Sequence, residues 1–172
     1  MNNDAYPICN EHLDCGHGCK GVAGESLCLP CLNSDCIQAS VDGKMNDSNQ
    51  ESDDSNNAAV AAAAPLVLQG CAESELCGIC YTSELGEEAC ARLSSCGHVF
   101  HANCINMMLE HRWTTLRITF GYLDCPSCKQ EMQLDYHVPK LSEHLDVAYR
   151  FKTEIMQMAL QKAFDEGLDS KG

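Results

Sequence analysis

Between Cys77 and Cys128 the chain spaces eight metal-binding side chains as four close pairs: Cys77-x2-Cys80, Cys96-x-His98, His101-x2-Cys104 and Cys125-x2-Cys128. A Cys-x2-Cys pair on a tight turn can aim both thiolates at one ion about 2.3 Å away, and a structural zinc site wants four such ligands in a tetrahedron. Eight ligands in four pairs therefore predict two closed sites. The stretch CGHVFHANC, residues 96–104, could instead be read as a nucleophilic Cys/His pair. Such a nucleophile needs an activating His and an orienting third group. Every cysteine from 77 to 128 except Cys90 is already used as a ligand, and a closed zinc site has no open position for water. Metal framework is the reading these residues support, and none of them is assigned a catalytic role.

Composition agrees with a metal-stapled fold. The 172 residues include 14 cysteines and only 6% aromatics, so no large apolar core runs along the chain. Small modules of this kind need staples, either disulfides or metals. The opening MNNDAYPIC has neither the basic nor the apolar region of a secretory signal. Reduced intracellular thiols bind zinc, whereas a secreted disulfide scaffold has no need of interleaved histidines. No run of about eighteen apolar residues occurs, so no membrane span is expected. The net charge of −14, with 11 Lys and Arg against 25 Asp and Glu, excludes the basic face of a nucleic-acid binder. An intracellular, cytoplasmic chain with protein partners is expected.

Cysteine distribution divides the chain. Residues 7–37 hold a second candidate zinc cluster, with Cys9, His12, Cys15, His17, Cys19, Cys28, Cys31 and Cys36 as possible ligands. Eight candidates match two further zinc ions, but the tight Cys15-Gly16-His17-Gly18-Cys19 run fixes no pairing. Residues 38–70 lack cysteine and read as a disordered linker: the polar run has too little apolar content to offset its ordering entropy. Pro65 cuts short the alanine run that follows. Residues 71–137 carry the eight-ligand framework, with Cys71 and Cys90 outside it. Residues 138–168 have the spacing of an amphipathic helix, with Leu141, Leu145, Ala148, Ile155, Ala159 and Ala163 on one row, Val147, Phe151, Ile155, Met158 and Phe164 on a second, Ser142 a candidate N-cap and Gly167 a stop. Trp113 is expected to pack the long loop, whose alternation at Ile118, Phe120 and Tyr122 suggests a short strand. His111, His137 and His144 have no cysteine at ligand spacing.

The spacing from Cys77 to Cys128 resembles the RING-H2 class of RING domains. The segment RWTTLRITFGYLDCPSCKQEM, residues 112–132, is similar to the Pam/Highwire family of very large neuronal RING-type E3 ubiquitin ligases, and CGHGCKGVAGESLCLPCL, residues 15–32, fits their cysteine-rich stretch before the RING. The resemblance implies a small zinc-stabilised α+β fold, a cross-brace in which Cys77, Cys80, His101 and Cys104 hold one zinc and Cys96, His98, Cys125 and Cys128 the other. In that family a tandem cysteine domain follows the RING and relays ubiquitin to Ser or Thr. No cysteine follows Cys128 here, so the sequence is expected to be a fragment or a shortened relative without the relay. An axonal or synaptic setting is also implied.

The resemblance further implies a role without a nucleophile: binding a ubiquitin-charged E2 conjugating enzyme and biasing the thioester-linked ubiquitin toward an attack-ready pose. By family position Ile79 and Pro126 would be apolar E2 contacts, with Met108 on the helix expected over residues 102–112 facing the groove between them. Lys129 stands where such ligases carry a linchpin cation, with a point charge in place of the planar fork of Arg. The alternative class is a zinc-dependent protein-interaction module without ligase activity.

Overall fold

The computed structural model describes residues 6–42, 71–112 and 117–167. Its elements run α1 (Ser34–Asp42), β1 (Cys90–Arg92), β2 (Val99–His101), α2 (Ala102–His111) and α3 (Leu141–Asp165), with one 3-10 turn at Gly121–Leu123. It is the small α+β arrangement expected, built around loops that carry cysteine and histidine. The strands form an antiparallel hairpin in which Cys90 faces His101, Ala91 faces Phe100 and Arg92 faces Val99. Five of those six residues are buried.

Helix α2 follows the hairpin without a break. Ala102, Ile105 and Leu109 recur at helical spacing and are buried together with Cys104. His101 occupies the N-cap position but makes no capping bond, because its ring turns inward toward the cysteines. At the other end Arg112 takes φ 48° and lays its guanidinium over the Phe151 ring, 4.8 Å from the centroid. That contact ties the end of α2 to α3.

Helix α3 buries only its first turns. Leu141, Leu145 and Ala148 are buried, and the two leucines contribute on the order of 1.5–3 kcal/mol each. The Tyr149 hydroxyl donates to the Met132 carbonyl at 2.7 Å. Beyond this point Met156, Met158, Leu160 and Phe164 are exposed. Gly167, at φ 66°, ends the helix as expected, with its N–H on the Phe164 carbonyl. Ser142 is not the N-cap: Lys140 holds that position, and the Ser142 hydroxyl accepts from the Val138 N–H at 2.9 Å.

Two further expectations differ from the structure. The alternation from Ile118 to Tyr122 forms no strand, because Tyr122 and Leu123 are buried in succession on a 3-10 turn closed by Leu123 N–H to Phe120 O. Helix α1 enters the segment read as linker, capped by the Asn33 side chain, which accepts from the Asp35 N–H at 3.1 Å. Trp113 and residues 43–70, including the polar and alanine runs, lie outside the described residues.

The N-terminal cluster is docked on the cross-brace. The Cys90 N–H donates to the Lys20 carbonyl, the Ser26 N–H to the His137 carbonyl and the Glu73 N–H to the Leu32 carbonyl. The Lys20 ammonium reaches the Gly86 carbonyl at 3.2 Å. Leu29, Leu32 and Val22 join the same buried core as Phe100 and Leu123. The cluster and the cross-brace therefore fold as one packed body.

Candidate functional site

The two Cys-x2-Cys turns are built alike. In each, the residue after the second cysteine is left-handed, Tyr81 at φ 55° and Lys129 at φ 63°. Its N–H returns to the carbonyl of the first cysteine, Tyr81 to Cys77 and Lys129 to Cys125, both at 2.9 Å. The bond folds the turn so that both thiols face the same side. A non-glycine residue in this region costs about 1–2 kcal/mol, so something must hold the turns closed.

The donor atoms supply it. Cys77, Cys80, His101 and Cys104 bring their sulfur and nitrogen atoms within 4.8 Å of one another, as do Cys96, His98, Cys125 and Cys128. A tetrahedral ion with bonds of about 2.0–2.3 Å sets neighbouring donors roughly 3.6 Å apart. His101 Nδ1 lies 3.8 Å from Cys80 Sγ and 3.7 Å from Cys104 Sγ. His98 Nδ1 lies 3.7 Å from Cys125 Sγ. These are edges of coordination tetrahedra rather than hydrogen bonds, and the donor set is the thiolate and imidazole chemistry that zinc prefers. Alternate pairs along the chain share a set, so the sites are interleaved.

Surrounding groups orient the ligands. His101 Nε2 donates to the Glu84 carbonyl at 2.9 Å, which leaves the Nδ1 lone pair for the metal. The thiols themselves are electrostatically crowded. Cys77 is held down to about 4, chiefly by its hydrogen bond with Cys104, and that same bond together with burial pushes Cys104 up. Thiols that can ionise only at a neighbour's expense suit a divalent cation, which takes all of them as thiolates. Cys128 is held low by the Gln130 N–H.

Residues 9–36 gather in the same way. Cys15, His17, Cys31 and Cys36 form one set, with Cys36 Sγ 3.4 Å from His17 Nδ1. Cys9, Cys19 and Cys28 form the other, joined by Glu25. His12 stands outside both, exposed and bridged through its backbone to Gly18. Sequence reasoning missed Glu25, since a single glutamate carries no spacing signal; its position three residues before Cys28 was the one available hint. Cys71 and Cys90 are buried but belong to no set among the described residues, and Cys90 donates to the Leu85 carbonyl at 3.1 Å. His111, His137 and His144 are exposed and join no set among the described residues.

Of the remaining sequence-derived residues, Ile79 and Pro126 lie on the two Cys-x2-Cys turns, Lys129 directly follows the second, and Met108 lies on α2. A Cβ at Gly78 would meet the Phe100 ring at 3.4 Å and Ser127 Oγ at 3.8 Å, so the two Cys-x2-Cys turns approach each other across Phe100. Ile79 and Met108 are partly buried against the core. Pro126 is half-buried and Lys129 exposed, with the Lys129 ammonium donating to the Pro126 carbonyl at 3.0 Å.

Residues 75–129 match the ring finger domain family. Over 160 residues the chain is 35% identical to the E3 ubiquitin-protein ligase highwire of Drosophila melanogaster, covering 93% of this chain and 3% of that protein. It is 33% identical over 160 residues to the E3 ubiquitin-protein ligase MYCBP2 of Danio rerio, again covering 93% of this chain and 3% of the relative. Over nearly all of its length the chain is similar to a short segment of these two Pam/Highwire ligases. It spans about 3% of the length of these relatives, and its ring finger is of the RING-H2 kind, with zinc as the metal the two interleaved sets accommodate. No helix among the described residues is long and apolar enough to cross a membrane.

Proposed function

We propose that this chain is the E2-recruiting module of a RING-type E3 ubiquitin ligase. The observation that carries the reading is the nearness of the two metal-braced turns, with an apolar residue on the first and a proline and a cation on the second. An E2 would seat its loops on Ile79 and Pro126, with Met108 of α2 as the floor. Apolar anchors of this size supply most of the affinity of a small interface.

The zinc ions supply rigidity in this scheme. Rate comes from the chain's surface acting on the partner's thioester. Ubiquitin hangs from a charged E2 by a flexible tail, and holding it in one pose converts a search into a near-attack geometry. Lys129 has three N–H donors. Swung away from the Pro126 carbonyl, it would donate to the E2 and to a carbonyl of the ubiquitin tail at once. Twelve of the fourteen cysteines lie in the four metal sets and the other two, Cys71 and Cys90, are buried, so the acceptor nucleophile would come from elsewhere.

The test is discharge of ubiquitin from a panel of charged E2 enzymes, with free lysine and free threonine as acceptors. The reading expects at least one E2 to be accelerated about tenfold or more. No acceleration with any E2 would leave the zinc-dependent interaction module as the function.

A further inference from the structure

Three thiols and one carboxylate meet at the edge of the N-terminal cluster. Cys9, Cys19, Cys28 and Glu25 bring their donor atoms within 4.8 Å of one another. Glu25 Oε1 lies 3.5 Å from Cys19 Sγ, the edge length of a tetrahedron about an ion with one oxygen and three sulfur ligands. Two backbone donors aim the carboxylate: the Leu29 N–H at Oε1, 3.0 Å, and the Val22 N–H at Oε2, 3.2 Å. Each oxygen keeps a lone pair beyond the one so used. The arrangement matches the way outer-shell donors orient a metal-bound carboxylate.

A second observation concerns Gly21. A Cβ there would fall 1.9 Å from Glu25 Oε1 and 2.7 Å from Oε2. Only a residue without a side chain leaves room for the carboxylate to lie against the Gly21 backbone and reach the thiols. The Gly21 N–H itself points at Cys19 Sγ, 3.3 Å away, as thiolate ligands in metal-bound turns are commonly satisfied.

We propose that Cys9, Cys19, Glu25 and Cys28 hold a zinc ion in a three-sulfur, one-oxygen site, interlocked with a three-sulfur, one-nitrogen site of Cys15, His17, Cys31 and Cys36. The interlocking follows from chain order. The ligands of the second set fall between Cys9 and Cys19 and again beyond Cys28, so neither ion closes a separate bead. Cys19 and Lys20 are adjacent, and the Lys20 carbonyl accepts from the Cys90 N–H of the ring finger hairpin. The carboxylate-bearing site therefore sits where the cluster docks on the cross-brace. Carboxylate is a harder ligand than thiolate or imidazole, so this ion is the first of the four to leave under a chelator.

Native mass spectrometry of the full chain tests the ligand set. Wild type should carry four zinc ions, Glu25→Ala three, and Gly21→Ala three, because the added Cβ displaces only the far end of the Glu25 side chain and leaves the backbone in place. His12→Ala should keep four. Should Glu25→Ala fail to fold, Glu25→Cys carries the test: in the cobalt-loaded chain its thiolate-to-cobalt absorption should rise by about a twelfth, from twelve sulfur ligands to thirteen. Four ions in both Glu25→Ala and Gly21→Ala, three ions in His12→Ala, two or three ions in wild type, or an unchanged cobalt spectrum in Glu25→Cys would each overturn the assignment.

Discussion

The His101 ring is fixed from behind by the Glu84 carbonyl, which accepts from Nε2 at 2.9 Å. The bond selects the tautomer whose Nδ1 faces Cys80 and Cys104. Because His101 is fully buried in β2 and pairs across the hairpin with Cys90, the first zinc set is welded to the sheet. His101→Ala should remove one zinc ion by native mass spectrometry and abolish cooperative unfolding of the ring finger. His101→Cys supplies a donor but no N–H for Glu84, so it should keep the ion and lose about 1–2 kcal/mol in thermal unfolding. Retention of all four ions in His101→Ala would refute this ligand assignment.

The docking of α3 can be measured separately from the metal sites. Leu145→Ala empties a buried position between α3 and the body and should cost about 2–4 kcal/mol, with the zinc count unchanged. Met158→Ala, on the exposed half of the same helix, should cost under about 0.5 kcal/mol. Equal effects would mean that the whole helix, rather than its first turns, is packed.

The framework was legible in the sequence because metal ligands impose short, fixed spacings, and α3 because its apolar residues recur at helical spacing; α2 was expected from the family resemblance, and α1 was not expected. What escaped reading depended on contacts distant in sequence. The 3-10 turn at Gly121–Leu123 exists because Tyr122 and Leu123 are both drawn into the body, which no local alternation reveals. Glu25 reaches its thiols only because Gly21 makes room. Ser142 looked like a cap by type, yet Lys140 starts the helix from a left-handed backbone.

Tyr136 reports on the seam between the hairpin and the segment before α3. Its hydroxyl accepts from the Arg92 N–H at 2.9 Å and donates to the Arg92 carbonyl at 3.3 Å, and burial pushes its pKa up to about 12. Tyr136→Phe leaves that N–H without its partner and should cost about 1–3 kcal/mol. The sign with pH follows from the shift. A phenol whose folded pKa lies above the unfolded value of about 10 stabilises the fold only while it stays protonated in both states, and the stability falls as pH rises from about 10 to about 12. Wild type should therefore lose stability in that window more steeply than Tyr136→Phe. Parallel pH profiles would contradict the account.

At Lys129 backbone and side chain can be separated, because φ 63° is strained for lysine and free for glycine. Lys129→Gly should keep or raise thermal stability by up to about 1 kcal/mol while slowing E2 discharge severalfold. Lys129→Arg should be at least as fast as wild type, since a planar fork loses less freedom per hydrogen bond. A Lys129→Gly chain as active as wild type would remove the linchpin role.

The most direct measurement is the single-turnover discharge of ubiquitin from its charged E2, run with wild type and Ile79→Ala and with zinc counted in the same preparations. The account predicts that Ile79→Ala slows discharge about tenfold, a loss of roughly 1.4 kcal/mol, with the same number of zinc ions as wild type. Equal rates in the two proteins would contradict the claim that the groove between the two metal-braced turns is where this chain acts.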